Sequence, residues 1–365
     1  MNAVQYQKTI GVDLHKTSMT IVVLDEHGQQ IEHKEIPTKC RNQIQEFFAS
    51  YGLHSQVAVE SVGFYHWFWN LVRPLVGKIV LADPAALAPF RVRKAKTDRN
   101  DARLLATLLR EGRLPTAYVP SEPIRALRDL VRLRHSLARS LSCERGHLRW
   151  IGLKHNLPGP ATLTSDRAQK WILAAEQTLT PAHRVAARYR LNHILALERD
   201  VLDTDRAIHK ALEADTDLLR QVSLIESIPG IGRLTAVTIL TETGDITRFD
   251  HPNPLGAYAG LVPRVSQSGG PGAPAHHGHI SKQGPPILRW VLQQAAWVAI
   301  RSDAQARRIH ARISRRAGAK KAATALARKL LIYAWSVCRR GQPFRWPHVD
   351  APAKETAPVA WSYQI

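Results

Sequence analysis

A chain of 365 residues is long enough for two or three domains, each able to bury its own core. With 44% hydrophobic and 22% charged residues its composition is that of a soluble globular protein, and no apolar run approaches the roughly 20 residues that span a bilayer. Lysine and arginine number 51 against 30 aspartates and glutamates, and a net charge of +21 favours nucleic acid over membrane as the polyanionic partner.

The N-terminal residues, Met1 to Lys8, carry no signal-peptide core. Cys40, Cys143 and Cys338 are too scattered for a disulfide framework or a zinc site, which suits a reducing cytoplasm. Thr9 to Asp13 reads as a buried strand ending in a carboxylate, followed by a turn over Leu14 to Ser18 and a second strand from Met19 to Leu24. Burying Asp13 at the base of such a hairpin is costly unless a cation or several donors hold it. Taken alone, the same residue fits a turn cap equally well.

Gln30 to Ile36 predicts a third strand, and Asn42 to Tyr51 a helix with Ile44, Phe47 and Phe48 on one side. Gln56 to Glu60 is a short strand ending in a second carboxylate. Gly63 to Val76 is helical and crowded with aromatic rings that suit a core better than a base-stacking platform. Lys78 to Ala82 completes the strands before Asp83-Pro84. An opening meander followed by alternating helices and strands predicts a mixed α/β sheet. At Thr97 a good N-cap starts the next helix, with Asp98 and Asp101 sharing its first turn. Acidic residues are common there for dipole reasons alone. That reason does not explain why Asp13, Glu60 and this pair all fall at element boundaries of one unit.

Ser121 to Lys154 reads as one long basic helix, with Leu127, Leu130, Leu133, Leu137 and Leu141 in a stripe and arginines including Arg125 around it. A loop over Asn156 to Ser165 precedes a second long helix from about Ala182 to Leu224. The pair could form an antiparallel hairpin within the chain or a coiled-coil dimer arm. Ser227 to Gly232 is a Pro-Gly-x-Gly turn through which backbone N–H groups at Gly230 and Gly232 could approach a phosphate, although the same residues make an ordinary turn. Leu261 to Gly284 is expected to be a long Gly/Pro/His loop containing Arg264, Ser266, Ser268 and Lys282; its His276, His277 and His279 lack the cysteines of a usual zinc set. Pro286 to Ile300, which includes Arg289, and Ala304 to Arg339 are helical, and a Pro-rich tail follows. There is no tandem repeat.

Four carboxylates on a small α/β sheet can hold two Mg²⁺ ions, hard cations that take oxygen ligands and stabilise the attacking and leaving oxygens of a phosphodiester. In a basic protein such a set points to a nuclease or polynucleotidyl transferase. Ser268, in a Gly-flanked loop beside Arg264 and Lys282, could separately be a nucleophile, although taken alone it fits a solvated turn serine better.

Three stretches, Gly11-Val12-Asp13-Leu14-His15-Lys16, Val59-Glu60-Ser61-Val62-Gly63 and Lys96 to Ala102, resemble the successive motifs of the DEDD insertion-sequence transposases. This is the IS-one-ten family with its IS-eleven-eleven group, also called bridge-RNA-guided serine recombinases. Ile228 to Gly232, Ala259 to Arg264, Ser268-Gly269 and Ile280 to Gly284 are similar to its C-terminal motifs in order, so the resemblance runs to about Pro343.

It implies an α/β RNase H-like (RuvC-like) domain over residues 1–120, in which Asp13, Glu60, Asp98 and Asp101 bind Mg²⁺ or Mn²⁺. A helical coiled-coil-like linker over 121–225 and a mainly α-helical transposase domain over 226–343 would follow, the latter with a helix-hairpin-helix-like element and a catalytic serine at Ser268. Residues 344–365 would be a disordered tail. Nucleic acid would be touched by Arg264, Lys282, Arg289, Gly230 and Gly232. The partners implied are donor and target DNA, a non-coding guide (bridge) RNA and further copies of the chain in a dimer or tetramer, without a membrane. A bacterial cytoplasmic protein, on the nucleoid when bound to DNA, is expected. The chain departs from the family in the Pro/His-rich loop after Ser268, in His279 and in Pro285-Pro286. A junction-resolvase-like endonuclease without serine chemistry is the alternative, and a non-catalytic binding protein the third reading.

Overall fold

A computed structural model describes residues 6–90, 97–157, 165–175, 177–266 and 276–346. The chain divides into two compact units, Met1–Val119 and Pro120–Ile365.

The first unit is built on β1 (Lys8–Leu14), β2 (Ser18–Leu24), β3 (Gln30–Pro37), α1 (Arg41–Tyr51), β4 (Ser55–Glu60), α2 (His66–Val72), β5 (Lys78–Ala82), α3 (Pro84–Leu87), α4 (Asp98–Arg110) and β6 (Thr116–Ala117). Its sheet has the order β3-β2-β1-β4-β5-β6. Strands β1 to β3 form the antiparallel meander, β4 and β5 run parallel to β1, and β6 closes the edge antiparallel.

Side-chain alternation along each strand assigns the two faces. Ile10, Val12, Ile21, Val57 and Val59 pack with Phe47, Phe48 and Phe68 of α1 and α2. On the opposite face Val22 and Leu24 meet Ala102 and Ala106 of α4, and Ala58 and Ala82 meet Leu105, Leu108 and Leu109. The aromatic run after Gly63 is core, as its crowding suggested, but its helix is shorter than expected. It ends at Val72 and passes into a 3₁₀ turn, Arg73–Leu75, containing Pro74, which has no N–H to continue an α-helix.

The second unit contains α5 (Glu122–Lys154), α6 (Ser165–Ala175), α7 (Pro181–Glu213), α8 (Thr216–Glu226), α9 (Arg233–Thr243), α10 (Pro252–Tyr258), β7 (Pro263–Ser266), β8 (His276–Ile280), α11 (Pro286–Ser302), α12 (Ala304–Ala317) and α13 (Ala319–Arg340). Helices α5 and α7 pack on each other within the chain, and their ion pairs fix the direction. Arg134 pairs with Asp205 at 2.9 Å, Arg145 with Glu198 at 2.7 Å and Glu144 with Arg190 at 2.8 Å, so the earlier residue of α5 meets a later part of α7 than the pair at 144 and 145 does. The hairpin is antiparallel. Its distal core gathers Leu141, Leu148, Ile151, Leu191 and Ile194, while Leu127 and Val131 join the core of the C-terminal helices.

Several expectations are corrected. Arg125 is buried instead of lining the basic face, and its guanidinium donates to the Pro120 carbonyl at 3.2 Å. The second long helix stops at Glu213, because Asp215 turns the chain and caps α8 by accepting the Leu218 N–H at 2.9 Å. The last basic helix is two helices, broken at Gly318, whose φ of 82° no helix accommodates. The Gly/Pro/His loop has an antiparallel β-hairpin at its base, with Pro263 opposite Ile280 and Ser266 opposite His276. Phe344 and Trp346 are packed on Tyr333, and the Phe344 N–H donates to Ser227 Oγ at 2.7 Å, so the tail is anchored up to that point. No helix of the described residues is long and apolar enough to cross a membrane.

Candidate metal centre

Asp13 is delivered by β1 onto the face that α4 covers, where its side chain is only 10% exposed. Strands β1 and β4 pair in parallel as far as Val12 and Val59. Asp13 and Glu60 therefore follow at the same level on adjacent strands, about 5 Å apart along the sheet, and alternation turns both toward α4. Helix α4 supplies the rest. Thr97 caps it by accepting the Asn100 N–H at 3.3 Å, which sets Asp98 and Asp101 in its first turn.

A fifth group completes the cluster. His15, just beyond β1, places Nε2 3.3 Å from Asp13 Oδ2 and 3.4 Å from Asp98 Oδ2. Ligand atoms from Asp13, His15 and Asp98 all lie within 4.8 Å of one another. By sequence His15 falls in the turn that follows the first strand. The signal that could have found it is the period of two, which returns residue 15 to the face of Asp13.

Burial raises the Asp13 carboxyl above the ordinary carboxylate value. The His15 ring opposes that rise, while Asp101, Asp98 and Glu60 reinforce it, so all four carboxylates share one electrostatic neighbourhood. A divalent cation fits this donor set of hard oxygens: it would offset the burial and the mutual repulsion that together hold Asp13 toward its neutral form.

The C-terminal candidates are distributed differently. Ser268 lies outside the described residues, and Ser266 ends β7. Two of the sequence motifs meet face to face. A β-carbon on Gly260 would stand 2.2 Å from the Gln283 carbonyl oxygen, and one on Gly284 would stand 1.9 Å from that of Tyr258. Arg289 closes this junction, its Nη1 donating to the carbonyls of Ala259, Gln283 and Gly284 at 3.3, 2.6 and 2.9 Å. Lys282 takes a left-handed φ of 56° there, and exposed Arg264 donates to Ser281 O at 3.4 Å. Gly230 is a packing glycine, since a β-carbon would come within 2.5 Å of the Ala295 carbonyl oxygen on α11. Gly232 begins α9 with open space around it. The side chains of His276 and His277 lie outside the described residues, and His279 is exposed on β8.

One polar network went unread in the sequence. Glu242, at 1% exposure, is gripped by Arg132 through two hydrogen bonds of 2.7 and 2.8 Å, tying α5 to α9. Arg128 donates to the neighbouring Thr241 carbonyl at 2.6 Å.

Two family models match this chain. One, a DEDD transposase model of the IS110 type, matches residues 10–151; the other, described as Transposase IS116/IS110/IS902 family, matches residues 222–311. A putative transposase of Sinorhizobium fredii, y4qE, is 29% identical over 79% of this chain and 70% of its own length. The transposase for insertion sequence element IS1111A of Coxiella burnetii is 27% identical over 93% of this chain and 91% of its own length. A pilin gene-inverting protein of Moraxella bovis is 29% identical over 50% of this chain and 58% of its own length.

Proposed function

Both matched segments and the full-length relatives support an IS110/IS116/IS902-family DEDD transposase, and on that premise we propose a metal-dependent recombinase that cuts and rejoins DNA through Ser268. The family implies dependence on a divalent metal. The observation that carries the proposal is the convergence of mostly buried Asp13 with His15 and Asp98, whose ligand atoms lie within 4.8 Å of one another, beside the strand end that carries Glu60 and the helix turn that carries Asp101.

In this reading the first unit is RuvC-like, of RNase H type, and its strand order with parallel β1, β4 and β5 beside an antiparallel meander is consistent with that. Asp13, Glu60, Asp98 and Asp101 would hold Mg²⁺ or Mn²⁺, and the ion would supply charge stabilisation at the scissile phosphate. Ser268 Oγ forms the new bond to phosphorus and loses its proton, while the bond to the leaving DNA oxygen breaks and that oxygen gains a proton. The phosphoserine conserves the ester, so a DNA hydroxyl can later displace the serine and rejoin the strand. Arg264 and Lys282, on either side of Ser268 in the sequence, would contact the DNA. The long α5–α7 hairpin and the net charge of +21 support assembly of several copies on donor and target DNA with a guide RNA.

The test is a labelled cognate substrate incubated with the full chain and Mn²⁺. A covalent DNA–peptide adduct at Ser268 is expected, absent in Ser268→Ala and Asp13→Asn. Hydrolytic cutting by Ser268→Ala would replace this reading with the resolvase-like endonuclease. RNA co-purifying with the chain should be a single defined species, and unrelated structured RNAs binding equally well would refute the guide.

A further inference from the structure

Between Asp250 and Asp350 the sequence contains a single acidic residue, Asp303. That carboxylate is already occupied, capping α12 through the Ala306 N–H at 2.7 Å and accepting the Trp346 indole N–H at 3.3 Å. Among the described residues no lysine or arginine of this stretch pairs with a carboxylate; Arg289 and Arg307, for instance, donate to backbone carbonyls. The cations are not spread evenly. A cavity of about 970 Å³ opens between the β7–β8 hairpin and helices α12 and α13.

One wall is a stripe of α13. Lys320, Thr324 and Arg328 stand four apart on the helix, with Lys321 and Lys329 beside them, and Arg316 of α12 closes the end. The opposite face of α13, through Leu326, Leu330 and Leu331, is buried in the core, so the stripe cannot turn away. Leu261, Ile280, Ile313 and Ile332 give the cavity an aliphatic floor, with His279 of β8 at the hairpin side. Lys329 is half-buried, and its ammonium is held below the ordinary lysine value by desolvation and then by Arg312 and Arg328, with no carboxylate acting on it. Arg328 Nη2 reaches Asn253 Oδ1 at 3.0 Å, yet its buried Nε has no hydrogen-bond partner among the described residues.

We propose that this cavity holds an unpaired DNA strand, its phosphates on Lys320, Lys321 and Lys329 and its bases against the aliphatic lining. The volume is at the upper end of pockets for drug-sized ligands, enough for a few nucleotides. A duplex keeps both backbones outside a rod and enters no cavity of this size. Base faces are apolar, so an aliphatic floor removes them from water without reading their sequence. The choice of DNA rests on the reading above, because strands β7 and β8 bracket residues 267–275, which include Ser268.

The experiment uses the full chain carrying Asp13→Asn, in EDTA, so that nothing is cut. Binding of a fluorescent single-stranded DNA, the matching duplex and a single-stranded RNA of the same sequence is followed by anisotropy across a salt series. Replacing Lys320, Lys321 and Lys329 by alanine should reduce the single-strand salt slope by about 2, at roughly 0.7 per neutralised phosphate. The three arginine replacements should retain the slope, and the duplex slope should change by less than about 1. Should the Lys329 variant melt early, Lys320→Glu with Lys321→Glu, both exposed, carries the same test. An unchanged slope, an equal loss for the duplex, or tighter binding of the RNA would overturn the proposal. A slope that does not change refutes the cavity and leaves the recombinase untouched; an active Ser268→Ala chain refutes serine chemistry and leaves the cavity.

Discussion

The carbonyl oxygen of Ala102 lies 1.9 Å from the point where a β-carbon on Gly11 would stand. That approach lets the backbone of α4 rest directly on β1. Asp98 and Asp101, in the turn before Ala102, are thereby brought to the level of Asp13, two residues beyond Gly11. A methyl group at residue 11 would meet backbone, which cannot rotate aside, so α4 would have to lift. Gly11→Ala should cost about 1–3 kcal/mol and weaken divalent binding in the same variant. Thermal melts and Mn²⁺ titration calorimetry check this, and wild-type values in both would show that the contact does not set the site.

Ionising Asp13 without a metal works against the fold. Its carboxyl is held above the ordinary 3.8, first by burial and then by Asp101, Asp98 and Glu60 against the pull of His15. A group with a raised folded-state value contributes its stability below the unfolded value and loses it as pH rises through the folded one. In EDTA, Asp13→Asn should therefore melt above the wild type at pH 7, and the advantage should shrink toward about pH 3. Added Mn²⁺ should reverse the order at pH 7. An Asp13→Asn chain that melts lower in EDTA at pH 7 would contradict the account.

His15 touches both Asp13 and Asp98, so it acts on the carboxylates as a pair. His15→Ala should lower divalent affinity by about 10–100-fold, the usual effect of losing a group that ligates or orients a metal ligand. Its melting temperature in EDTA should change little, because the ring is half exposed. Calorimetry separates the two readouts.

Breaking the Arg132–Glu242 pair should be far more costly than breaking the exposed Arg206–Asp203 pair. Glu242 is fully buried, and Arg132→Ala would leave its charge uncompensated, costing about 3 kcal/mol. Arg206→Ala should cost under about 1 kcal/mol. Pairing Arg132→Met with Glu242→Gln should recover much of the larger loss, as removing both charges removes the desolvation penalty. Urea unfolding of all four chains decides it.

The strands were legible because Thr9 to Val12, Met19 to Leu24, Gln56 to Val59 and Lys78 to Ala82 are short apolar runs bounded by polar turns, and α4 because Thr97 caps a helical repeat of leucines. Helix ends were misread where a single residue overrules periodicity, at Pro74, Asp215 and Gly318. The β7–β8 hairpin was unreadable because Gly278 and three histidines carry little strand propensity; pairing with Pro263–Ser266, not composition, makes them a strand.

Sequence alone determined the identity of the carboxylates and their placement at element ends, since those depend on local pattern and chain order. Tertiary structure decided that Asp13 and Glu60 share one level, through the parallel register of β1 with β4. It also decided that His15 turns toward them and that Gly11 admits α4. Only the close packing of a helix on a sheet brings residues 13, 15, 60 and 98 into one charge cluster, and no local propensity encodes a contact across so many residues of chain.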